Sequence, residues 1–278
     1  MNIGIAGLGL IGASMAKAVT DHTEHRVFGY NRNAGVTAQA ISDGAISAEL
    51  TDKNIGGCEL IFVAIYPGAA IDYVKSKAHL ISKESVVIDC CGTKTAICES
   101  LWPVANQYGF TFIGGHPMAG LAHTGYSAST GELFRGAPMI LTPPQGIIKK
   151  SMFWIEKILR QIGFGDIVYT SPEEHDARIA YTSQLAHILS SAYIMSDKSL
   201  EHHGFSAGSF RDLTRVSWLN EDMWTELFLD NKNPLLEELD GLISRLTTFR
   251  NTINAKDENS LRDILRCGRE RKEKVNIL

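Results

Sequence analysis

Six residues near the amino terminus, Gly7-Leu8-Gly9-Leu10-Ile11-Gly12, limit what this chain can fold into more than any other feature. They come after an apolar run at 2–6 and open a helical stretch at 11–21. In that setting each glycine has a separate task. Gly7 permits the tight turn, Gly9 lets backbone approach a diphosphate, and Gly12 lets the new helix pack on the strand behind it. Leu8, Leu10 and Ile11 complete the segment, and the helix start it leads into faces an anion with unpaired N–H groups and a positive dipole end. The six residues therefore read as a dinucleotide cradle; the bland alternative is a glycine-rich turn in an unliganded sheet.

The chain beyond the cradle fits an α/β fold. Runs at 26–30, 59–65, 85–89, 111–113 and 139–142 are rich in Val, Ile and Phe, bounded by Gly or Pro, and read as strands. They are apolar nearly throughout, as strands covered on both faces by helices must be. A helix is expected at 152–162 between them. From Ser171-Pro172-Glu173-Glu174, an N-cap, a first-position proline and a capping-box glutamate, the period becomes helical. A helix of some 30 residues (172–203) is expected, with Gly204 as its left-handed stop. Further caps are expected at Ser209, Asn220 and Asn233-Pro234. Leu235, Leu236, Leu239, Leu242, Ile243, Leu246 and Phe249 form a stripe near heptad spacing, which points to homodimerisation. The expected architecture is a mostly parallel Rossmann-type sheet over 1–170 and an all-helical domain over 171–278. Charge divides there too: 13 Lys/Arg against 13 Asp/Glu in the first part, 14 against 18 in the second.

Composition removes other classes. A net charge of −4 disfavours a nucleic-acid surface, and no apolar run reaches the ~20 residues of a membrane span. Five cysteines (Cys58, Cys90, Cys91, Cys98, Cys267) without CxxC spacing point away from disulfides and zinc, so a reducing cytoplasm is expected. The amino terminus lacks the pattern of a signal peptide.

Chemistry-bearing residues cluster at a few places. After Gly29-Tyr30 comes Asn31-Arg32-Asn33, where NAD enzymes commonly carry an acid for the ribose 2′-hydroxyl. A neutral Asn31 and a forked Arg32 favour NADP; the alternative is a solvated surface arginine. His116 lies in Gly114-Gly115-His116-Pro117-Met118-Ala119-Gly120, after a strand, where open α/β sheets form their crevice. Its near-neutral pKa suits acid–base work. Ser183 and His187, four apart on the long helix, share a face and suit one ligand, or else satisfy each other. Arg215, in an apolar setting, suits a half-buried carboxylate clamp; a salt bridge to Asp212 or Glu221 is the alternative.

On these motifs the chain resembles the prephenate/arogenate dehydrogenases of tyrosine biosynthesis over essentially its whole length. The resemblance rests on GLGLIGAS, GGHPMAG, His175-Asp176, Ser183-x-x-x-His187, the 208–215 segment, Met223-Trp224 and Phe228-Leu229-Asp230-Asn231-Lys232. It implies NAD(P)-dependent oxidative decarboxylation of a cyclohexadienyl acid. It also implies His116 as the catalytic histidine, Ser183 and His187 at the substrate, Arg215 on a substrate carboxylate, and Gly208 where backbone approaches substrate. Trp224 matches the family tryptophan, with plain packing as its alternative role. Three departures stand out. Gly92 replaces a family serine that assists the histidine, leaving Thr93 as substitute or His116 without such a partner. Gln184 replaces a histidine, which is expected to alter side-chain recognition, and Leu121-Ala122-His123 lacks a frequent Arg-Glu pair. An appended chorismate mutase or ACT domain is not expected. A β-hydroxyacid dehydrogenase is the nearest rival, but 179–195 contains no lysine. The other rival is a catalytically silent NADP-binding sensor.

Overall fold

The computed structural model describes residues 1–121, 123–147 and 149–276. Eight strands form one sheet: β1 Asn2–Ala6, β2 Arg26–Tyr30, β3 Ala48–Glu49, β4 Leu60–Val63, β5 Val86–Asp89, β6 Thr111–Pro117, β7 Met139–Thr142 and β8 Ile167–Tyr169. Their order is β3-β2-β1-β4-β5-β6-β7-β8, parallel throughout except at the β6–β7 pair. The helices of this part are α1 Leu10–His22, α2 Ala34–Ser42, α3 Pro67–Lys77, α4 Thr95–Tyr108 and α5 Lys149–Gln161.

The apolar strand runs are explained by the two cores they serve. Leu60, Phe62, Val86 and Ile88 point into one cluster with side chains of α1 and α5. Their neighbours Ile61, Val63 and Val87 point into another with α3 and α4. Successive side chains of a strand leave opposite faces, so covering both faces demands an uninterrupted apolar run. The two unexpected strands, β3 and β8, are the edges of the sheet, with two and three residues. Edges that short leave no periodic signature. Helix α4 carries an interior proline, Pro103, which hides it from pattern reading.

The second part is helical: α6 Pro172–Ile179, α7 Leu185–Ile194, α8 Gly208–Thr214, α9 Glu221–Asp230, α10 Lys232–Ala255 and α11 Glu258–Val275. The Ser171 hydroxyl caps α6 by accepting from the Glu174 N–H at 3.2 Å. The Glu174 carboxylate meets Thr170 and Arg178 instead of closing a capping box. The expected 172–203 helix is corrected in two respects. It passes through a π-helical turn at Ala180–Gln184, and it ends at Ile194. Ser196 is extended and Asp197 opens a separate 3₁₀ turn, because short polar side chains compete with helical backbone bonds. Gly204, at φ +80°, lies beyond that turn. Asn220 caps α9 through the Met223 N–H, but Ala207, not Ser209, precedes α8, and α10 already begins at Lys232.

Two compact units result, Met1–Asn231 and Lys232–Leu278. Helices α6–α9 thus belong to the same unit as the sheet. The second unit is the pair α10 and α11, whose Ile243, Leu246, Ile253 and Leu265 are exposed. No helix among the described residues is long and apolar enough to cross a membrane.

Candidate active site

The cradle has the shape its sequence implies. Gly7 has φ +92°, and a Cβ there would lie 2.4 Å from the Ala64 carbonyl oxygen. At Gly12 a Cβ would lie 1.8 Å from the Gly7 carbonyl oxygen, so helix and turn are in direct contact. Gly9 differs: a Cβ there would meet nothing within 4 Å. Open space beside a helix start whose N-cap, Gly9, supplies no side-chain cap fits a diphosphate held by backbone N–H groups. Leu10 and Ile11 open that helix, and Leu8 is buried beneath it. The Leu8 N–H donates to Asn31 Oδ1 at 3.1 Å, so Asn31 braces the cradle from the end of β2. Arg32 beside it is exposed and makes no ion pair among the described residues.

His116 lies within β6, not in a loop after it, because β6 runs on to Pro117 by pairing antiparallel with β7 (His116 opposite Ile140). Gly114 and Gly115 make this possible. Cβ atoms there would lie 2.1 Å from Thr142 Oγ1 and 2.4 Å from the Asp89 carbonyl oxygen. Asp89, at the end of β5, fixes the strand: its Oδ1 accepts from the Gly115 N–H at 3.0 Å and its Oδ2 from the Cys91 N–H at 2.8 Å. Oδ2 also receives the Lys94 ammonium, forming an ion pair with both side chains fully buried. Burial alone would lower the Lys94 pKa, but the Asp89 carboxylate, with Cys91 and Cys98 beside it, raises it above the ordinary lysine value, and the ammonium stays charged. Burial pushes the neighbouring Cys98 thiol up to about 12, which leaves it protonated.

The partner of His116 comes from α6. His116 Nδ1 and His175 Nε2 are 2.9 Å apart, and His175 Nδ1 lies 2.7 Å from Asp176 Oδ1. Asp176 also accepts the Lys94 N–H at 2.7 Å and the Thr95 N–H at 2.8 Å, the first amides of α4. It is therefore an N-cap supplied by another helix. Burial would raise the Asp176 carboxyl, but hydrogen bonds from His175 and Thr95 hold it below the usual carboxylate range. Burial, with the nearby His175 and the Lys94 ammonium, holds His116 well below ordinary histidine values. Burial likewise lowers His175. Both imidazoles are neutral at neutral pH.

The other expected residues divide. Thr93 does not reach His116. It is buried, and its Oγ1 has no hydrogen-bond partner among the described residues. The Asp230 carboxyl is near enough to be stabilised slightly by the Thr93 hydroxyl, but no contact of hydrogen-bond length closes between them. Burial and the Glu226 and Asp176 carboxylates raise Asp230 above its ordinary value. Gly92 faces Leu227 of α9, where a Cβ would lie 3.2 Å from Leu227 Cδ2. His187 Nδ1 donates to the Ser183 carbonyl at 2.8 Å, so the pair meets through backbone, not through the Ser183 hydroxyl. Its ring lies 4.1 Å from that of Trp224, and burial lowers its pKa, as does the Arg215 charge. Arg215 is exposed, contrary to the expected half-burial, because α8 presents its end to solvent. It pairs with neither Asp212 nor Glu221. Gly208, the first residue of α8, has open space around it. Gln184 is buried: it donates to the Leu227 carbonyl at 2.9 Å and accepts from Asn231 at 2.7 Å, so it organises the core and does not face a ligand. Of the 121–123 loop, Ala122 lies outside the described residues.

The sequence offers His175-Asp176 as a motif and Asp89 to Lys94 as a family-like stretch, but it gives none of these four residues a role in the site. The adjacent His-Asp in the first turns of a well-capped helix is the available signal. Its partner, however, is 59 positions away. Helix α9 is also tied to the first turn of α3, since Glu226 accepts from the Gly68 N–H at 2.5 Å.

Comparisons with known proteins identify the family. Residues 15–167 match the prephenate dehydrogenase nucleotide-binding domain, and residues 171–267 match the prephenate dehydrogenase dimerization domain. The prephenate dehydrogenase of Bacillus subtilis is 29% identical over 267 residues, covering 92% of this chain and 71% of the relative. The cyclohexadienyl dehydrogenase of Zymomonas mobilis is 29% identical over 269 residues, covering 94% and 91%. The crystal structure of Synechocystis arogenate dehydrogenase superposes with a TM-score of 0.82 at 26% identity, covering 99% of this chain and 100% of that one. The chain belongs to the prephenate dehydrogenase family.

Proposed function

We propose that this protein catalyses the oxidative decarboxylation of prephenate or arogenate in tyrosine biosynthesis, with His116 as the group that handles the substrate hydroxyl. The observation that carries this reading is the neutral imidazole of His116, anchored through Nδ1 on a strand end of a sheet that also bears the glycine cradle. A bound nicotinamide supplies the acceptor for the hydride leaving the ring carbon that bears the hydroxyl. As carbonyl character develops there, His116 Nε2 takes the hydroxyl proton. The ring carboxylate departs as CO2, its bonding electrons aromatise the ring, and the proton returns to the phenolate oxygen. Aromatisation drives the reaction, so the protein's task is orientation and polarisation. Ser183, His187, Gly208 and Arg215 form the substrate side of this reading, with Arg215 free to pair with a carboxylate; Thr93 remains beside Gly92 as part of that wall.

NADP is the preferred cofactor in this reading, because the end of β2 offers an unpaired Arg32 and no carboxylate. Residues 1–170 serve the cofactor and 171–278 the substrate and a homodimer, a functional division that does not coincide with the two compact units. The apolar residues exposed on α10 and α11 support the dimer, and an odd number of cysteines without CxxC spacing supports a cytoplasmic setting. The deciding experiment assays prephenate and arogenate, each with NADP and NAD, for the wild type and His116→Asn. Turnover of one acid should fall ~10²–10⁴-fold in the variant, with cofactor affinity nearly unchanged. Cofactor binding without turnover of either acid would favour the sensor, and a clear NAD preference would remove the role given to Arg32.

A further inference from the structure

The hydrogen-bond chain behind His116 determines where its proton sits. Ionised Asp176 can only accept, and it already takes two backbone N–H groups of α4. His175 must therefore carry its proton on Nδ1, the nitrogen 2.7 Å from Asp176 Oδ1. A neutral His175 then has a bare Nε2, and the nitrogen 2.9 Å from it, His116 Nδ1, must be the donor. That leaves His116 Nε2 without a proton, as a base needs. Other groups in the cluster do not disturb this order. Lys94 is occupied by Asp89, Thr93 makes no hydrogen bond to the ring, and Gly92 offers no side chain.

We propose that His175, held by Asp176, is the positioning residue of His116: it selects the Nδ1–H tautomer and so exposes Nε2 to the substrate hydroxyl. Helix α6 thereby supplies what no hydroxyl of the β5–α4 connection does. The dyad's two links also serve the fold, since Asp176 caps α4 while His175 reaches β6, so the α4 start and the base are set by one carboxylate. This inference rests on the role given to His116 above.

The test uses full-length protein with ¹⁵N-labelled histidine and reads tautomers by two-bond ¹H–¹⁵N correlation at neutral pH, alongside steady-state kinetics. In the wild type, His116 should show a protonated Nδ1 and a bare Nε2. His175→Leu removes the acceptor, and His116 should shift to the Nε2–H form, with kcat down ~10²–10⁴-fold and substrate KM changed less than about threefold. His175→Gln keeps an acceptor oxygen and should restore the Nδ1–H form and most of kcat; it also serves if the leucine variant does not fold. The proposal fails if His116 keeps its tautomer and its kcat in His175→Leu, or if the Gln variant restores neither. If His116→Asn turns over normally, the base assignment is lost, yet the tautomer readings still decide whether His175 controls His116.

Discussion

Replacing Lys94 by Met removes the ammonium at the centre of this site while keeping most of the stem volume. Lys94 and Asp89 are both 0% exposed, so the carboxylate left behind has no route to water. Breaking such a pair from one side typically costs ~3–5 kcal/mol. Here Asp89 keeps the Gly115 and Cys91 N–H bonds at 3.0 and 2.8 Å, which places the loss at the lower end, about 3 kcal/mol. For a chain of this size that is a drop of roughly 6–12 °C in Tm. The assay is thermal unfolding of wild type, Lys94→Met, Asp89→Asn and the double variant. The double variant should be less damaged than the two singles together, with a coupling of at least about 2 kcal/mol. Function moves as well. The Lys94 charge helps hold His116 down, so the acid limb of kcat/KM should move to higher pH in Lys94→Met. A Tm loss under ~2 °C together with additive singles would refute the idea that this pair holds the site.

Three more outcomes are expected. Gly9→Ala, whose Cβ enters open space, should weaken cofactor binding at least tenfold with Tm nearly unchanged, whereas Gly12→Ala, 1.8 Å from the Gly7 carbonyl, should lower both; titration and melting of the two variants check this. His116 and His175 have folded pKa values below the unfolded histidine value, so the unfolded state binds protons first and stability declines as pH falls below ~6.5, by up to about 1.4 kcal/mol per pH unit for each histidine. Denaturant unfolding at two pH values measures the slope, which should shrink in His175→Gln; a flat profile contradicts it. Arg215→Ala should raise substrate KM at least tenfold, since a charged hydrogen bond is worth ~1.5–3 kcal/mol; an unchanged KM makes Arg215 a surface residue.

Local chemistry alone determined a good part of this protein. The glycine cradle, the buried strands and the Ser171 and Asn220 caps each depend on residues a few positions apart, and such features are legible in a string of letters. His116 was legible because glycines flank it in a short segment. Tertiary structure decided the rest. The edges β3 and β8 exist only because a neighbouring strand pairs with them. Helix 172–203 stops at Ile194 because Ser196 turns away, a competition that periodicity does not record. Arg215 lies in an apolar stretch and is nevertheless exposed, and Gln184 sits in a substrate-like motif and is nevertheless buried. The link from His116 to His175 to Asp176 was out of reach of sequence reading for a plain physical reason. A hydrogen bond acts over about 3 Å, and only the folding of α6 against the end of β6 brings residues 59 positions apart within that range.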